Sequence, residues 1–269
     1  MKTIYHFSGA GNDFVVIDGR EGDVSAFREV PRIEALCKDY KTDGLMILGS
    51  GDAEVDFTME FYNPDGSGGM MCGNGGRCIV AFADYLGIKP SCHPELAEGS
   101  YLFMAPDGLH TGEILERPED SLWTVRIKMI DVQGITPMLG GYFLNTGTRH
   151  FVKFVEDVEQ VDVDAEGKAL RWNEAFAPIG TNVNFVHVAP DGLHVRTFEK
   201  GVEGETLACG TGLTACALVA HHAGVPTATP GAYRLRARQD WLSVNFTPGA
   251  DEKFTDVYLT GPARLVEIR

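Results

Sequence analysis

The sequence predicts an α+β fold built from two similar halves, each a curled sheet around one central helix. Three observations predict it. The chain repeats itself at an offset of 137: Cys72 meets Cys209, Gly73 meets Gly210, Gly75 meets Gly212, Gly87 meets Gly224, Phe61 meets Phe198, and Phe14-Val15 meets Phe151-Val152. Each repeat has the same local plan, a strand-like run ending in Phe, a Gly-rich loop, Cys-Gly-x-Gly, and about three turns of helix. The rest of the chain reads as short strands, the composition of a sheet protein with one helix in each half.

The elements follow in order. Thr3–Phe7, Phe14–Ile17 and Leu45–Leu48 are short β-branched and aromatic runs that read as strands. Cys37, in "IEALCKDY", falls on the apolar side of a helical pattern and reads as a small buried hydrophobe. Val55–Phe61 leads into "NPDGSGGMMCGNGGRC", and "CIVAFADYL" then continues as a helix apolar on nearly every face, hence buried. That helix stops at Gly87, with Pro90 beyond it; its counterpart "LTACALVAHHA" stops at Gly224, with Pro226 beyond. Ser91–Tyr101 has no match in the second half and reads as a surface-loop insertion, whose Cys92-His93 lacks the partners a metal would need. "APDGLH" occurs at Ala105–His110 and at Ala189–His194, the same Pro-Asp-Gly turn between strands. Leu122–Ile130, Phe151–Val155, Asn182–Val188, Leu193–Phe198, Trp241–Phe246, Val257–Leu259 and Arg264–Ile268 complete the strands. The halves divide as 1–130 and 131–260.

Composition narrows the function classes. A chain of 269 residues with 44% hydrophobic and 23% charged residues is an ordinary globular protein, and no apolar run approaches a membrane span. The start "MKTIYHFSGAGNDF" has no apolar signal core, which points to a cytoplasmic protein. A formal charge of −15 argues against nucleic acid and leaves room for a small cationic or zwitterionic substrate. The six cysteines, Cys37, Cys72, Cys78, Cys92, Cys209 and Cys216, are therefore expected as thiols.

Two of these thiols carry a chemistry. A cysteine at a helix N-terminus is stabilised as thiolate by the helix dipole and the unpaired first amides. The same amides receive an anion, and the glycines let it approach. Two such loops facing each other place a sulfur on either side of one bound molecule. Inverting an α-carbon needs that arrangement: a thiolate removes the proton from one face, an opposed thiol returns one from the other, and no cofactor takes part. Rival readings fit less well. Spacings of six (Cys72 to Cys78) and seven (Cys209 to Cys216) miss the Cys-x₂₋₄-Cys of zinc sites, so no metal is expected. "GETLAC" is no strand core for a dinucleotide fingerprint, and Cys-x-x-Cys redox spacing is absent. A non-catalytic thiol or ligand-binding protein, with glycines for packing and cysteines buried, is the remaining alternative.

"GAGNDFVVID" (Gly9–Asp18), "NPDGSGGMMCGNGGRC" (Asn63–Cys78), "GTNVNFV" (Gly180–Val186) and "FEKGVEGETLACGTG" (Phe198–Gly212) together resemble the diaminopimelate epimerase family, over nearly the whole chain. The resemblance implies a barrel-like mixed sheet around the central helix of each half, return of the last strand, 261–269, to the first half, and an active site in the cleft between the halves. It implies cofactor-independent interconversion of LL- and meso-diaminopimelate in lysine and peptidoglycan biosynthesis, and a homodimer. Carried over residue by residue, Cys72 and Cys209 are the acid–base pair. Gly73, Asn74, Gly210 and Thr211 supply backbone donors to the reacting carboxylate. Asn12 and Glu199 hold the reacting end, Glu199 on the α-ammonium, and His150 orients the centre. Asn63 and Asn182 contact the distal end. Two departures fall at that distal end: Lys200 stands where the family has arginine, and Thr148 where it has asparagine. Arg149 is expected to supply the missing fork. Proline and hydroxyproline epimerases are the runner-up, but they usually carry His where Asn74 stands.

Overall fold

The strands of the first unit form a closed circuit. In the computed structural model, which describes residues 2–69, 71–91 and 96–269, β1 (Ile4–Gly9) pairs antiparallel with β2 (Asn12–Asp18). β2 lies parallel to β3 (Gly44–Ser50), and β3 returns antiparallel as β4 (Phe57–Tyr62). β4 runs parallel to β5 (Ser100–Ala105), followed by the antiparallel β6 (Gly108–Glu119) and β7 (Leu122–Lys128). The last strand of the chain, Lys253–Ile268, pairs with β7 at Gly261–Arg264 and with β1 at Arg264–Ile268, which closes the circuit. A parallel β2–β3 pair needs a crossover, and α1 (Val30–Tyr40) provides it. Its Ile33, Leu36 and Cys37 pack on Val15, Ile17, Leu45 and Ile47. Covered on both faces, β2 and β3 read as the continuous runs FVVI and LMIL.

α2 (Gly73–Tyr85) touches β1, β2 and β3 as well as β6, so it lies inside the circuit. Cys78, Ile79, Val80, Ala81, Phe82 and Ala83 are fully buried, which explains a helix without a polar face. It ends in a Schellman motif: Ile88 N–H donates to Ala83 O at 3.0 Å and Gly87 N–H to Asp84 O at 2.9 Å, with Gly87 at φ +74°.

The second unit repeats the plan. Chain contacts assign it Lys128–Thr260, and assign the first unit the residues up to Ile127 together with Gly261–Arg269. β8 (Val132–Gln133) and β9 (Thr136–Met138) form a bent segment, followed by β10 (Gly141–Asn145) and β11 (Arg149–Phe154). β11 is parallel to β12 (Asn182–Ala189), with α3 (Val163–Arg171) in the crossover. β13 (Gly192–Glu199) then pairs with the short β14 (Gly204–Thr206) and, in parallel, with β15 (Ala232–Arg236). β16 (Trp241–Pro248) and the start of β17 (Lys253–Ile268) follow. β8 pairs with β17 and β9 with β10, so this circuit closes through the bent segment. α4 (Gly210–His222) lies inside it, with Ala215 to Ala220 fully buried. Val225 N–H donates to Ala220 O at 2.9 Å and Gly224 N–H to His221 O at 3.0 Å, the same Schellman ending as in α2.

Some sequence expectations need correction. Ser91–Tyr101 is not loop throughout: Ser100 and Tyr101 open β5, and Tyr101 is buried, its hydroxyl donating to Ile88 O at 3.0 Å. Cys92-His93 lies outside the described residues. The strands β5, β6, β10 and β15 go unnamed in the sequence reading: β5 begins inside the polar stretch Ser91–Tyr101, β6 carries glycines and charges, β10 follows Gly140 and opens on Gly141, and β15 alternates apolar residues with arginine. Both Ala-Pro-Asp-Gly turns are hairpins, and each Asp holds the His three residues on, Asp107 with His110 at 3.2 Å and Asp191 with His194 at 2.9 Å.

Candidate active site

In the first unit Cys72 is the N-cap of α2, with extended backbone at φ −101°, ψ 149°, and its sulfur accepts the N–H of Gly75 at 3.2 Å. Gly73 and Asn74 occupy the first two helical positions, where amides have no intrahelical partner. The turn between β1 and β2 presses against them: a Cβ on Gly9 would stand 2.8 Å from both Asn74 O and Cys78 Sγ. That approach brings Asn12 to Asn74, whose Nδ2 donates to Asn12 Oδ1, while Asn12 Nδ2 donates to Asp43 Oδ2 at 3.2 Å. Behind them Arg77, fully buried, donates to Asn74 Oδ1 (2.7 Å), Gly73 O (3.2 Å) and Pro262 O (3.3 Å). The Asn74 amide is thereby held from both ends. Asn63 sits in the loop after β4, its Nδ2 donating to Ser67 Oγ at 3.0 Å and its backbone N–H to Ser67 O at 2.8 Å.

The second unit builds its cysteine differently. Cys209 is the N-cap of α4, 8% exposed, and its sulfur lies 3.5 Å from Thr211 Oγ1. Strand alternation creates the polar surroundings. Asn182 and Asn184 of β12 share a face with His150 of β11 and Thr197 of β13, while the intervening Phe151, Val183, Phe185 and Phe198 form a separate apolar cluster with Val163 and Phe176. His150 is fully buried, and burial pushes its imidazole down to about 3, so it is neutral. Its Nε2 lies 2.9 Å from both Thr148 Oγ1 and Thr211 Oγ1, and its Nδ1 is 3.1 Å from Asn184 Nδ2. Asn182 Nδ2 donates to Thr148 Oγ1 at 3.2 Å, and its Oδ1 accepts the Lys200 N–H at 2.8 Å. Glu199, at the end of β13, accepts a hydrogen bond from Thr206. Lys200 follows it with an exposed side chain.

The cysteines within the helices have another character. Burial pushes the thiols of Cys78 and Cys216 up, as it does that of Cys37. Among the described residues no group of three or more His, Cys, Asp or Glu side chains is arranged to hold a metal ion, and no helix is long and apolar enough to cross a membrane.

Arg149 corrects an expectation. One residue from His150 on the same strand, it points the other way: its guanidinium donates to Phe176 O at 3.2 Å and lies 5.1 Å from the Phe143 ring centre, on the α3 side. Strand alternation removes it from the polar cluster, so it supplies no fork there. The sequence reading also passed over Arg77 and Asn184. Both carried a signal: Arg77 is the one cation in an otherwise apolar buried helix, and Asn184 is the second polar residue of an alternating "TNVNFV".

The architecture defines a fold class, two units that each close a sheet around a central helix. The chain superposes over its full length on a phenazine biosynthesis family protein of Bacillus anthracis (TM-score 0.76, 10% identity, 98% of that chain). It also superposes on a hydroxyproline epimerase of Agrobacterium vitis (TM-score 0.65, 15% identity, all of this chain and 91% of that one). Sequence narrows the class: the diaminopimelate epimerase family model matches residues 4–105 and 142–266. Diaminopimelate epimerases of Chlorobaculum tepidum (39% identical, covering 96% of this chain and 97% of theirs) and Flavobacterium psychrophilum (36%, 98% and 97%) align end to end with it. The chain belongs to the diaminopimelate epimerase family.

Proposed function

We propose that the protein interconverts LL- and meso-diaminopimelate, with Cys72 and Cys209 as acid and base on opposite faces of one α-carbon. One observation carries the reading: each unit presents a cysteine as N-cap of a buried, glycine-rich helix of 13 residues. Relatives that align over nearly the whole chain carry that activity in their names.

The chemistry follows from the residues. One sulfur, as thiolate, takes the α-proton; the other, as thiol, delivers its own to the opposite face, and the two exchange roles in the reverse direction. Charge developing on the α-carboxylate is met by the helix amides at Gly73, Asn74, Gly210 and Thr211. Glu199 pairs with the α-ammonium, and Asn12 acts through Asn74 at the reacting end. Asn63, Asn182 and Lys200 attend to the distal end, Lys200 as a point charge where the family has a fork. Thr148 has its hydroxyl engaged with His150 and Asn182, so its part is to support them rather than to bind substrate. Homodimeric assembly and a cytoplasmic location belong to the same reading, and light scattering tests the first.

The experiment is α-proton exchange of LL-diaminopimelate in D₂O without added pyridoxal phosphate or metal, with proline as the competing substrate. Inversion of diaminopimelate alone is expected, and Cys72→Ser or Cys209→Ser should each cut it by about 10²–10⁴-fold. Undiminished inversion in either variant, or exchange with proline alone, would reject the reading.

A further inference from the structure

The hydrogens around His150 can be counted, and the count gives them a direction. Asn184 is fully buried, and its Nδ2 lies 3.1 Å from Phe151 O and 3.1 Å from His150 Nδ1. A carbonyl oxygen only accepts, so the atom facing it must be the NH₂ group. Its Oδ1 then accepts from Thr197 Oγ1 at 3.0 Å. The second amide hydrogen meets Nδ1 of His150, which must therefore be the bare nitrogen. A neutral imidazole with Nδ1 bare carries its hydrogen on Nε2.

From Nε2 the order continues. Thr148 Oγ1 accepts from Asn182 Nδ2, and the imidazole nitrogen beside it already holds a hydrogen. Its own hydrogen is left for Thr211 Oγ1, 3.2 Å away. Thr211 Oγ1 is also within 2.9 Å of Nε2, so it is an acceptor on that side, and its hydrogen is directed to Cys209 Sγ at 3.5 Å. On the strand face that carries His150 the titratable group is Glu199 of β13, and α4 adds its N-cap Cys209 and Cys216; Arg149, Lys153, His187, His194 and Arg196 alternate to the other face of their strands, and His221 and His222 stand in the last turn of α4. The described polar neighbours of the ring are Asn184 at Nδ1 and, at Nε2, Thr148 and Thr211; the Asn182 amide nitrogen, 3.4 Å from Nε2, is a neighbour and not a partner once Nε2 holds the hydrogen.

We infer that Asn184 is a positioning residue that locks His150 as the Nε2–H tautomer, so that the His150–Thr148–Thr211 group only donates toward the Cys209 sulfur and never takes a proton from it. His150 is thus no general base in this chain. Its relation to catalysis rests on the assignment of Cys209 above; the tautomer itself does not. The packing supports the lock: a Cβ on Gly212 would stand 2.4 Å from Asn184 Oδ1, so the helix turn bearing Cys209 rests directly on this amide.

The test is ¹⁵N–¹H NMR of the histidine side chains of the whole protein, with His150→Gln used to assign the signal. A protonated-type Nε2 and a bare-type Nδ1 that do not titrate between about pH 5 and 9 are expected. A protonated Nδ1, or titration of this ring in that range, would overturn the inference. Asn184→Asp supplies a second readout, since a carboxylate can only accept from Nδ1. The ring should turn over to Nδ1–H or become charged, kcat should fall about ten- to a hundredfold with a smaller change in KM, and a new histidine-like limb should enter the pH profile. An Asn184→Asp protein with the original tautomer and the original profile would overturn it as well. If the NMR result holds and Cys209→Ser proves fully active, the lock stands and only the assignment of Cys209 falls.

Discussion

Gly75 and Gly212 occupy the same place in the two central helices, three residues after the N-cap cysteine, yet alanine should act oppositely at them. A Cβ at position 75 would meet Cys72 Sγ at 3.3 Å, Met46 Sδ at 3.4 Å and Met59 Cε at 3.7 Å, all ends of side chains that can turn aside. Alanine also fixes the unfolded backbone better than glycine, a gain of up to about 1 kcal/mol in a helix. Gly75→Ala should therefore lie between neutral and about 1 kcal/mol more stable. At 212 the Cβ would stand 2.4 Å from Asn184 Oδ1. That amide is fully buried and bonds Thr197, Phe151 and His150, so a shift of about 1 Å to normal contact distance breaks at least one bond. A broken buried hydrogen bond costs about 1–3 kcal/mol, and overpacking costs a similar amount. Against the helix gain of about 1 kcal/mol, a net loss of about 2 kcal/mol is expected for Gly212→Ala. For a chain of this size that is a fall in Tm of about 4–8 °C. Thermal melts of both variants beside the parent, followed by circular dichroism, decide it. If Gly212→Ala melts at or above Gly75→Ala, the contact at Asn184 is not the constraint described.

Two further outcomes follow from the buried polar groups. His150 is held near 3 in the folded protein against 6.5 when unfolded, so between these values only the unfolded chain binds its proton. Stability from this group thus rises with pH by about 1.4 kcal/mol per unit and levels off above the unfolded value. Denaturant melts from about pH 4 to 7 should show a shallower slope for His150→Gln than for the parent, and equal slopes would refute the buried neutral ring. Arg77→Met takes the donor from Gly73 O, Asn74 Oδ1 and Pro262 O and should cost about 3 kcal/mol or more in the same assay. Arg77→Lys should recover only part, for lack of a planar fork, and a loss below about 1 kcal/mol for Met would show that the guanidinium is dispensable.

What the sequence disclosed was what repeats or alternates. The 137-residue offset located both N-cap cysteines and both Schellman glycines because a helix inside a closed sheet must be apolar all round, and its two ends must each be capped within one or two residues. The cysteines and the His150 region were legible through motif resemblance, while their contacts were not. Arg149 shows why: its place beside His150 suggested a shared pocket, but the two-residue period of a strand sends neighbours to opposite faces. β5 and β6 were hidden by their surroundings: β5 is apolar but begins inside the polar stretch 91–101 that reads as a loop, and the glycines and charges of β6 weaken its alternation.

The repeat also exposes where the two units diverge. At the offset of 137, Asn74 corresponds to Thr211 and Arg77 to Thr214. Arg77 and Thr214 both donate to the first carbonyl of their helix, at 3.2 Å to Gly73 O and at 3.0 Å to Gly210 O. One backbone task is thus met by a cation in the first unit and by a neutral hydroxyl in the second. The guanidinium, with two further nitrogens, goes on to hold Asn74 and Pro262; the hydroxyl has one hydrogen, and the second unit must order Thr211 from the other side, through His150 and Asn184. A duplicated scaffold has in this way given its two sulfurs unlike polar neighbourhoods, and exchanging Arg77 and Thr214 would fail for lack of room around α4, where Ala215 to Ala220 are already fully buried.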